Sequence, residues 1–415
     1  MPATMSKTKE ASLRRERFRE YMRKLNPTAP ARTALDSGLV LEDLHGSLYK
    51  ILAARADLDP GSQQLLVGGI GSGKTTELLM AEKWLEEQGQ TLSLYIDISA
   101  ETDLATLNAG ALLAGFGVHL TRAFYRNAFD NSLADHEKKA LQVGQDKIDA
   151  FAFGKTESTS VPDYFEGFMS ALGDRRSVTH VPGKLKPPFY PVLWDIRNIH
   201  DSLEMFVRAV QERLRDVVVI FDGLDRLISP ETFWSVVDQD FRALRRMAVG
   251  VVAAAPLSLL YGQGRAVSDH FDRIHHIHTL SSDPKSNDHL QSVLVHRGGS
   301  DLLGRDEIEV VCSASGGVLR DLVTLARDSG EQAYIEGSDE ILLKHVTTAV
   351  TQLGESYRRG LGPTQLQVLK RLDRERYFDV TSIPGIELLV TGRVLEYSAF
   401  DFRVHPALKP LVENG

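Results

Sequence analysis

The chain reads Gly68-Gly69-Ile70-Gly71-Ser72-Gly73-Lys74-Thr75 between an apolar run, Gln64–Val67, and a helix-like stretch, Thr76–Trp84. This stretch fits the pattern Gly-x4-Gly-Lys-Ser/Thr without a gap. A strand, a glycine-rich loop and a helix in this order form a phosphate-binding loop (P-loop), whose backbone N–H groups and helix N-terminus bind nucleotide phosphates. The alternative is a strand-to-helix turn in which Lys74-Thr75 occurs by chance.

Each residue type in the loop has a chemical reason. The glycines keep side chains away from the places where the backbone approaches phosphate. Lys74 is expected to reach the β and γ phosphates, and Thr75 is expected to place its hydroxyl on Mg²⁺. The predicted nucleotide-binding residues are Gly68, Gly69, Ile70, Gly71, Ser72, Gly73, Lys74, Thr75 and Thr76.

Length and composition indicate a soluble globular protein. The chain has 415 residues, of which 42% are hydrophobic and 25% charged. This length is enough for two to three domains. The single cysteine, Cys312, excludes an intramolecular disulfide and a cysteine-based zinc cluster, and it favours a cytoplasmic location. We expect no membrane helix and no signal peptide, because long apolar runs are missing.

Charge is distributed unevenly along the chain. The net charge is −8, which argues against binding nucleic acid through bulk electrostatics. Residues 1–26 are nevertheless rich in lysine and arginine. This segment is either a basic helix that contacts nucleic acid, an acidic partner or another subunit, or a solvated and partly disordered arm.

Alternating strand and helix patterns predict an α/β fold with a five-stranded, mostly parallel sheet. The predicted strands are 63–67, 91–97, 217–221, 249–254 and 274–278, and the predicted helices are 39–56, 76–88, 103–114, 134–152, 200–215 and 231–246. Residues 115–198 are too long for an ordinary connection and are interpreted as an insertion. Gly154-Lys155-Thr156 within it lacks the preceding strand and glycine of a second P-loop.

The C-terminal part is predicted to be mainly helical, with helices at 287–296, 304–314, 318–334 and 338–353. Helices 363–373 and 382–391 and strands 393–397 and 401–404 indicate a winged helix. We therefore expect a basic arm at 1–30, a P-loop NTPase domain at 31–284, a helical lid at 285–355 and a winged-helix domain at 356–415.

A second motif predicts a magnesium ligand. The apolar strand Val217–Phe221 ends in Asp222-Gly223-Leu224-Asp225, which fits the Walker B element. Asp222 would then hold Mg²⁺ with Thr75 at the carboxyl edge of the sheet. Asp225 could orient or deprotonate the attacking water, or it could simply cap the next helix.

Phosphoryl transfer also requires positive charge near the γ-phosphate. Three arginines are candidates for this catalytic role: Arg265, Arg273 and Arg320, the last after Gly316-Gly317. The alternative for each is a surface ion pair. Three histidines lie on the last predicted strand; His276 and His278 share a face there and His275 points away. Without a nearby carboxylate cluster, strand packing explains them better than metal binding.

These motifs together resemble the AAA+/STAND group of P-loop ATPases, over roughly residues 40–110 and 200–415. Asp222-Gly223-Leu224-Asp225-Arg226 is similar to the STAND form of Walker B, and Gly316–Arg320 is similar to the sensor-2 segment. Gly392–Tyr397 with Arg403–Pro406 looks like the wing of the family's C-terminal winged helix. The strand end Ala253–Pro256 lacks the polar sensor common in such ATPases, and Asn-Lys-x-Asp, which reads guanine, does not occur.

The resemblance implies ATP and Mg²⁺ as ligands and an ATP-driven switch or assembly module as the function. Bacterial relatives of this type often serve in anti-phage defence or signalling assemblies. Two alternatives stay open. One is a DNA-binding ATPase that uses the winged helix and the basic segment, and the other is a nucleotide-binding scaffold with little turnover.

Overall fold

A computed structural model gives the fold of residues 2–41, 46–153, 196–227, 230–261, 267–281, 284–298 and 301–413. By its internal contacts, the chain divides into two compact units. Unit 1 comprises Met1–Ala53, Gln64–Trp84 and Ala254–Gly415, and unit 2 comprises Ala54–Gln63 and Leu85–Ala253.

Five strands form the sheet, as predicted from the sequence. They are β1 (Gln63–Gly68), β2 (Thr91–Asp97), β3 (Asp216–Asp222), β4 (Gly250–Ala255) and β5 (Arg273–Ile277). Their order is β2-β3-β4-β1-β5, and the β1–β5, β2–β3 and β3–β4 pairs are parallel. All residues of β1, β3 and β4 are buried. Burial on both faces accounts for the apolar runs Leu65–Val67, Val217–Phe221 and Val251–Ala255 within these strands.

The helices within the described residues follow the predicted α/β pattern. None of them is long and apolar enough to cross a lipid bilayer. In chain order they are α1 (Pro2–Lys24), α2 (Ala31–Asp36), α3 (Leu48–Leu58), α4 (Lys74–Gln88), α5 (Ile98–Glu101), α6 (Ala111–Arg126), α7 (Asp135–Phe153), α8 (Ile196–Gln211), α9 (Pro230–Arg246), α10 (Pro284–Gly298), α11 (Arg305–Ala314), α12 (Leu319–Ile335), α13 (Leu343–Arg358), α14 (Pro363–Glu375), α15 (Ile383–Val390) and α16 (Lys409–Glu413).

In unit 2, the prediction of a helix at 103–114 is wrong. A single 3₁₀ turn lies at Leu104–Thr106, and α6 begins only at Ala111. Gly110 precedes it in the left-handed region, with φ 93°. The carboxylate of Asp240, from α9, accepts hydrogen bonds from the N–H groups of Gly110, Leu112 and Leu113. This long-range cap fixes the start of the helix.

The first part of the predicted insertion is helical. Helix α6 continues to Arg126, and α7 follows at Asp135–Phe153, close to the predicted 134–152. Leu141, Ile148 and Phe151 of α7 are buried. The proline- and glycine-rich remainder, including Gly154-Lys155-Thr156, lies outside the described residues. The helix expected at 200–215 is displaced and runs over Ile196–Gln211.

In unit 1, α1 packs against the group α10–α13. Phe18, Tyr21 and Leu25 are almost fully buried in the hydrophobic core of this group. Tyr21 donates a hydrogen bond to the carbonyl oxygen of Ala326, at 3.0 Å. A Cβ at Gly330 would lie only 2.7 Å from Tyr21 Cε1. The basic N-terminal segment is therefore a helix with one apolar face in the core, while the predicted contact of this segment with nucleic acid, an acidic partner or another subunit stays a prediction.

Two helices of unit 1 begin later than predicted. The helix expected at 39–56 begins at Leu48, after Gly46 and Ser47, which both have positive φ. The helix expected at 338–353 begins at Leu343. The preceding residues are held instead by a backbone hydrogen bond from Ile341 N–H to the Leu302 carbonyl oxygen, at 2.8 Å.

The last elements of unit 1 are two helices and a two-stranded antiparallel ribbon. The ribbon consists of β6 (Val394–Ser398) and β7 (Asp401–Val404), with Val394 opposite Val404 and Glu396 opposite Phe402. Helices α14 and α15 and the ribbon lie within two residues of their predicted bounds. The core of this part is formed by Leu369, Leu372, Leu388, Leu389, Val394 and Leu408.

Candidate nucleotide-binding site

The glycine-rich loop connects β1 to α4 and has the backbone geometry that only glycine adopts easily. Strand β1 ends at Gly68 and α4 begins at Lys74. Gly71 and Gly73 have φ of 74° and 97°, a region in which a side chain is strained. At Gly68 an added Cβ would lie 2.8 Å from Ser72 Oγ and 3.0 Å from the Ile277 carbonyl oxygen. The loop therefore has left-handed backbone at two positions and little space for side chains at Gly68. Glycine meets both conditions, and it leaves the loop backbone accessible to a ligand.

Lys74 is folded back onto this loop. Its Nζ donates hydrogen bonds to the carbonyl oxygens of Gly68 and Gly69, both at 2.9 Å. The lysine is 6% exposed. A buried ammonium is costly unless it is hydrogen-bonded, and an anion at the loop would offer it stronger, charge-assisted partners. Thr75 and Thr76 follow in the first turn of α4 and are both half-buried.

The segment Gly316–Arg320 contacts the loop within unit 1. The Leu319 N–H donates a hydrogen bond to the Gly71 carbonyl oxygen, at 3.2 Å. A Cβ on Gly71 would lie 2.9 Å from both Arg320 Cβ and Val318 Cγ1. Arg320, the second residue of α12, therefore lies directly against the P-loop. Gly317 has φ 83°, and a Cβ there would lie 1.8 Å from the Leu280 carbonyl oxygen. Only glycine therefore fits at this position.

A buried polar cluster lies behind Arg320. Asp321 accepts a hydrogen bond from the Tyr357 hydroxyl at 2.6 Å, and His405 Nε2 lies 3.1 Å from its Oδ2. Burial, followed by the Asp321 carboxylate, raises the pKa of Tyr357. The Tyr397 hydroxyl of β6 donates to the Gly316 carbonyl oxygen, at 2.9 Å. The start of α12 is thus held from one side by the P-loop and from the other by the ribbon and its flanking residues.

The Walker B aspartate ends β3 in unit 2. Asp222 is 4% exposed. Its Oδ2 accepts a hydrogen bond from the Tyr95 hydroxyl at 2.7 Å, and its Oδ1 accepts one from the Gly223 N–H at 2.7 Å. Asp225 follows in a short 3₁₀ turn, Leu224–Arg226, and is half-buried. The structure therefore places both predicted aspartates after the carboxyl end of a buried strand.

Asp97 is a further carboxylate that sequence reasoning missed. It ends β2 and is the parallel register partner of Asp222. Its Oδ1 accepts a hydrogen bond from Ser99 Oγ at 2.6 Å, and Arg226 donates to the same Ser99 Oγ at 2.9 Å. A Cβ at Gly223 would lie 2.8 Å from Asp97 Oδ1. The available signal was that the predicted strand 91–97, like 217–221, leads into an aspartate.

The candidate arginines differ in position. Arg320 adjoins the loop, as described. Arg273 is the first residue of β5 and pairs with Gln64, whereas the loop end Gly68 pairs with Ile277. Four strand residues span about 13 Å, so the structure does not bring Arg273 to the P-loop. Arg265 lies outside the described residues.

The strand histidines alternate as expected. His275 Nε2 lies 3.1 Å from Gln64 Oε1 on one face of β5. On the other face, the rings of His276 and His278 have centroids 4.1 Å apart. Burial, followed by the charge of His278, lowers the pKa of His276 to about 4.

Comparisons with known proteins give only distant similarity. No known protein family matches the sequence. No curated protein matches it either. Among solved structures it is similar to Cdc6p from Pyrobaculum aerophilum, at 12% identity and TM-score 0.41, over 89% of this chain and 92% of that one. It is also similar to Drosophila ORC bound to DNA, at 14% identity and TM-score 0.39, over 90% and 77% of the two chains.

A third similar structure is RuvB, the Holliday junction branch migration motor of Thermotoga maritima. Its identity is 14% and its TM-score 0.39, over 91% of this chain and 96% of that one.

Proposed function

We propose that this chain is an ATP-binding P-loop ATPase of the AAA+/STAND type that acts as a nucleotide-dependent switch. The observation that carries the proposal is the hydrogen bond from Leu319 N–H to the Gly71 carbonyl oxygen. It joins the phosphate-binding loop to α12, which begins at Leu319 and carries Arg320. A change in the loop on nucleotide binding would therefore act directly on α12 and on the helices packed around it.

The residues of the two motifs fit ATP and Mg²⁺. The loop offers backbone N–H groups, the start of α4 and the Lys74 ammonium, which are donors suited to phosphate. Thr75 and Asp222 offer a hydroxyl and a carboxylate, which are the hard oxygen ligands that Mg²⁺ prefers. No Asn-Lys-x-Asp occurs in the chain, so the proposal names ATP rather than GTP.

Turnover is proposed to be slow. Asp225 is the candidate for orienting water, with Asp97 and Asp222 as carboxylates of the neighbouring strand ends. Strand β4 ends in Ala253-Ala254-Ala255 and is followed by Pro256, which supplies no polar side chain to position water or phosphate. Arg320 is the proposed reader of the γ-phosphate, because it is the candidate that adjoins the loop.

Single-turnover ATP hydrolysis by the purified full chain tests this proposal. Asp225→Ala should bind ATP normally and lower the hydrolysis rate by about 10²- to 10⁴-fold, as expected for loss of a general base. Lys74→Ala should weaken ATP binding itself. Lys83→Ala, an exposed lysine on the same helix, should change neither.

The outcomes separate the alternatives. Turnover that Asp225→Ala leaves unchanged would remove Asp225 from the chemistry. Equal background rates for wild type, Lys74→Ala and Asp225→Ala, together with tight ATP binding, would identify a nucleotide-binding scaffold without turnover. Absence of ATP binding would refute the proposal as a whole.

The switch is proposed to act on a protein partner or on a second copy of the chain. Anti-phage defence or signalling is the setting that the family resemblance brings with it, and it rests on that resemblance alone. Native mass measurement with and without ATP and Mg²⁺ would show whether assembly depends on nucleotide. An identical mass and identical co-purifying proteins in both states would argue against an assembly role.

Nucleic-acid binding is the second candidate, and one surface favours it. A groove of about 690 Å³ near the β6–β7 turn is lined by aromatic and arginine side chains, including Tyr377, Phe400, Arg376 and Arg403. Phe400, at the turn, is 75% exposed. Exposed aromatics beside arginines are suited to stacking on bases. Binding of labelled DNA that weakens with salt and with Phe400→Ala would support this function, and no binding at low salt would exclude it.

A further inference from the structure

Two histidines and one glutamate form a cluster that the nucleotide site does not use. His276 and His278 share one face at the end of β5, and Glu396 comes from the middle of β6. One ligand atom of each residue lies within 4.8 Å of those of the other two. His276 Nε2 and Glu396 Oε2 are 3.5 Å apart. The carboxylate that the sequence around the histidines lacks is therefore supplied by a distant strand.

Glu396 is buried and held in place by neutral donors. It is 4% exposed. The Tyr261 hydroxyl lies 2.6 Å from both carboxylate oxygens, and the Phe400 N–H donates to Oε1 at 3.3 Å. Among the described residues, His276 is the basic side chain within ion-pair distance of it. A buried carboxylate needs a compensating charge. The hydrogen bonds from Tyr261 and Phe400 are of the kind that orients a carboxylate bound to a metal ion.

His278 provides a second, independent observation. Its Nε2 is buried, and within the described part of the chain it has no hydrogen-bond partner. Buried polar atoms usually have a hydrogen-bond partner, so this nitrogen is a candidate to bind a water molecule or an ion. One ring nitrogen of His278 lies within 4.8 Å of a ligand atom of His276 and of Glu396, and the two imidazole rings have centroids 4.1 Å apart.

We propose that His276, His278 and Glu396 bind a divalent transition-metal ion, for which Zn²⁺ is the best match. Two imidazoles and one carboxylate form a donor set that zinc accepts, leaving a fourth position for water. Magnesium and calcium prefer oxygen ligands throughout. Tetrahedral zinc ligands are about 3.4 Å apart at normal bond lengths, so small side-chain movements complete the site.

A small cavity lies beside two of the three proposed ligands. It has a volume of about 10 Å³ and is lined by His276 and Glu396 and by Gly69 and Ile70 of the P-loop, whereas His278 does not line it. This volume holds about one water molecule. A bound ion would connect β5 to β6 beside the P-loop, with water as its fourth ligand. The proposed zinc ligands include neither of the proposed magnesium ligands, Thr75 and Asp222.

Zinc titration of the full chain tests the proposal. The protein is made without a polyhistidine tag, stripped with chelator, and studied without nucleotide. Wild type should bind one equivalent of Zn²⁺, and Zn²⁺ should raise its melting temperature. His278→Ala and Glu396→Gln should each weaken binding by about 100-fold or more and abolish the thermal shift. His275→Ala, on the opposite face of the same strand, should retain both.

Cobalt spectroscopy of the wild type gives a readout that does not depend on variants folding. Co²⁺ should produce the intense visible bands of a four-coordinate site, without a thiolate charge-transfer band, and Zn²⁺ should displace it. Failure of wild type to bind Zn²⁺ stoichiometrically would overturn the proposal. Equal loss of Zn²⁺ binding in His275→Ala and His278→Ala would also overturn it.

Discussion

At the scale of single residues, Gly71 is the position where the loop and the start of α12 meet. Its backbone adopts a φ of 74°, and an added Cβ would lie 2.9 Å from Arg320 Cβ and from Val318 Cγ1. Its carbonyl oxygen accepts the Leu319 N–H. One residue thus meets two separate demands, a left-handed backbone and a contact without a side chain.

We expect Gly71→Ala to lower the free energy of unfolding by about 1–2 kcal/mol, the cost of the left-handed backbone alone, and to weaken ATP binding. Gly69→Ala is the matched control. A Cβ at Gly69 meets nothing within 4 Å and its φ is not positive, so it should cost less than about 0.5 kcal/mol. Thermal unfolding measures both variants. Equal destabilisation by the two would contradict the contact described here.

Local chemistry explains why the glycine-rich loop and the aspartate at the end of β3 were predictable from sequence. Gly-x4-Gly-Lys-Thr and an apolar strand ending in aspartate are patterns of adjacent residues. Arg273 and Glu396 show where this reasoning fails. Arg273 lies away from the loop because it pairs with Gln64 at the start of β1. Glu396 lies next to His276 because the fold brings together two segments that are distant in the chain. Neither relation can be predicted from neighbouring residues in the sequence.

At the scale of elements, α6 depends on a buried acid from another helix. Asp240 is fully buried and accepts three backbone hydrogen bonds at the start of α6. Burial raises its pKa to about 7, and the bonds from Gly110, Leu112 and Leu113 oppose that shift. The sequence pattern alone predicted a helix at 103–114 because nothing local reveals this cap.

The raised pKa of Asp240 predicts a pH dependence. Between its unfolded value of 3.8 and about 7, the folded protein binds a proton that the unfolded chain does not. Stability from this group therefore falls as pH rises across that window, by at most about 1.4 kcal/mol per pH unit, and is constant above it. Asp240→Asn should remove this contribution. Urea unfolding between pH 4 and 8 measures it.

Two control variants complete this test. Asp240→Ala leaves three buried N–H groups without an acceptor and should cost about 2–3 kcal/mol or more at pH 7.5. Asp238→Asn changes an aspartate on the same helix that bonds to Arg242 near the surface, and it should keep the wild-type pH profile. A profile for Asp240→Asn identical to wild type would show that Asp240 does not titrate in this window.

Besides its buried apolar face, helix α1 has an arginine that binds it to the group α10–α13. Arg14 donates to the carbonyl oxygens of Ala333, Tyr334 and Ser338 at the end of α12. Its guanidinium also lies 4.7 Å from the centre of the Tyr334 ring. These interactions bind α1 to α12 of the same unit.

Arg14→Ala should lower the melting temperature, with a loss of about 1–3 kcal/mol for the charged hydrogen bonds. Arg15→Ala removes an exposed neighbour of the same charge and should be within about 0.5 kcal/mol of wild type. Both variants lose one positive charge. If both weaken DNA binding equally, the positive charge of α1 contributes to DNA binding. Equal melting temperatures for the two would contradict the anchoring role.

At the scale of the whole molecule, the five parallel strands and most of the helices were predicted well, because apolar strand and amphipathic helix patterns alternate along the sequence. The proposed switch depends instead on contacts between distant segments of unit 1. Leu319 contacts Gly71, Tyr397 contacts Gly316, and His405 faces Asp321. Through these contacts a change at the loop can reach α12 and the β6–β7 ribbon.

Hydrogen exchange with and without ATP and Mg²⁺ should reveal this coupling. We expect slower exchange at residues 68–76, at 316–322 and at 394–404 in wild type, because ligand binding stabilises the contacts that join them. Lys74→Ala should show no change in any of the three segments. Protection confined to 68–76 would mean that the loop binds nucleotide without switching the rest of unit 1.

The most direct measurement is calorimetric titration of the full chain with ATP in the presence of Mg²⁺. We expect one ATP to bind per chain. Binding should be about 10- to 100-fold weaker in Lys74→Ala, because its charged hydrogen bonds to phosphate are lost, and unchanged in Lys83→Ala. No binding by wild type, or equal binding by wild type and Lys74→Ala, would contradict the proposed nucleotide-binding function.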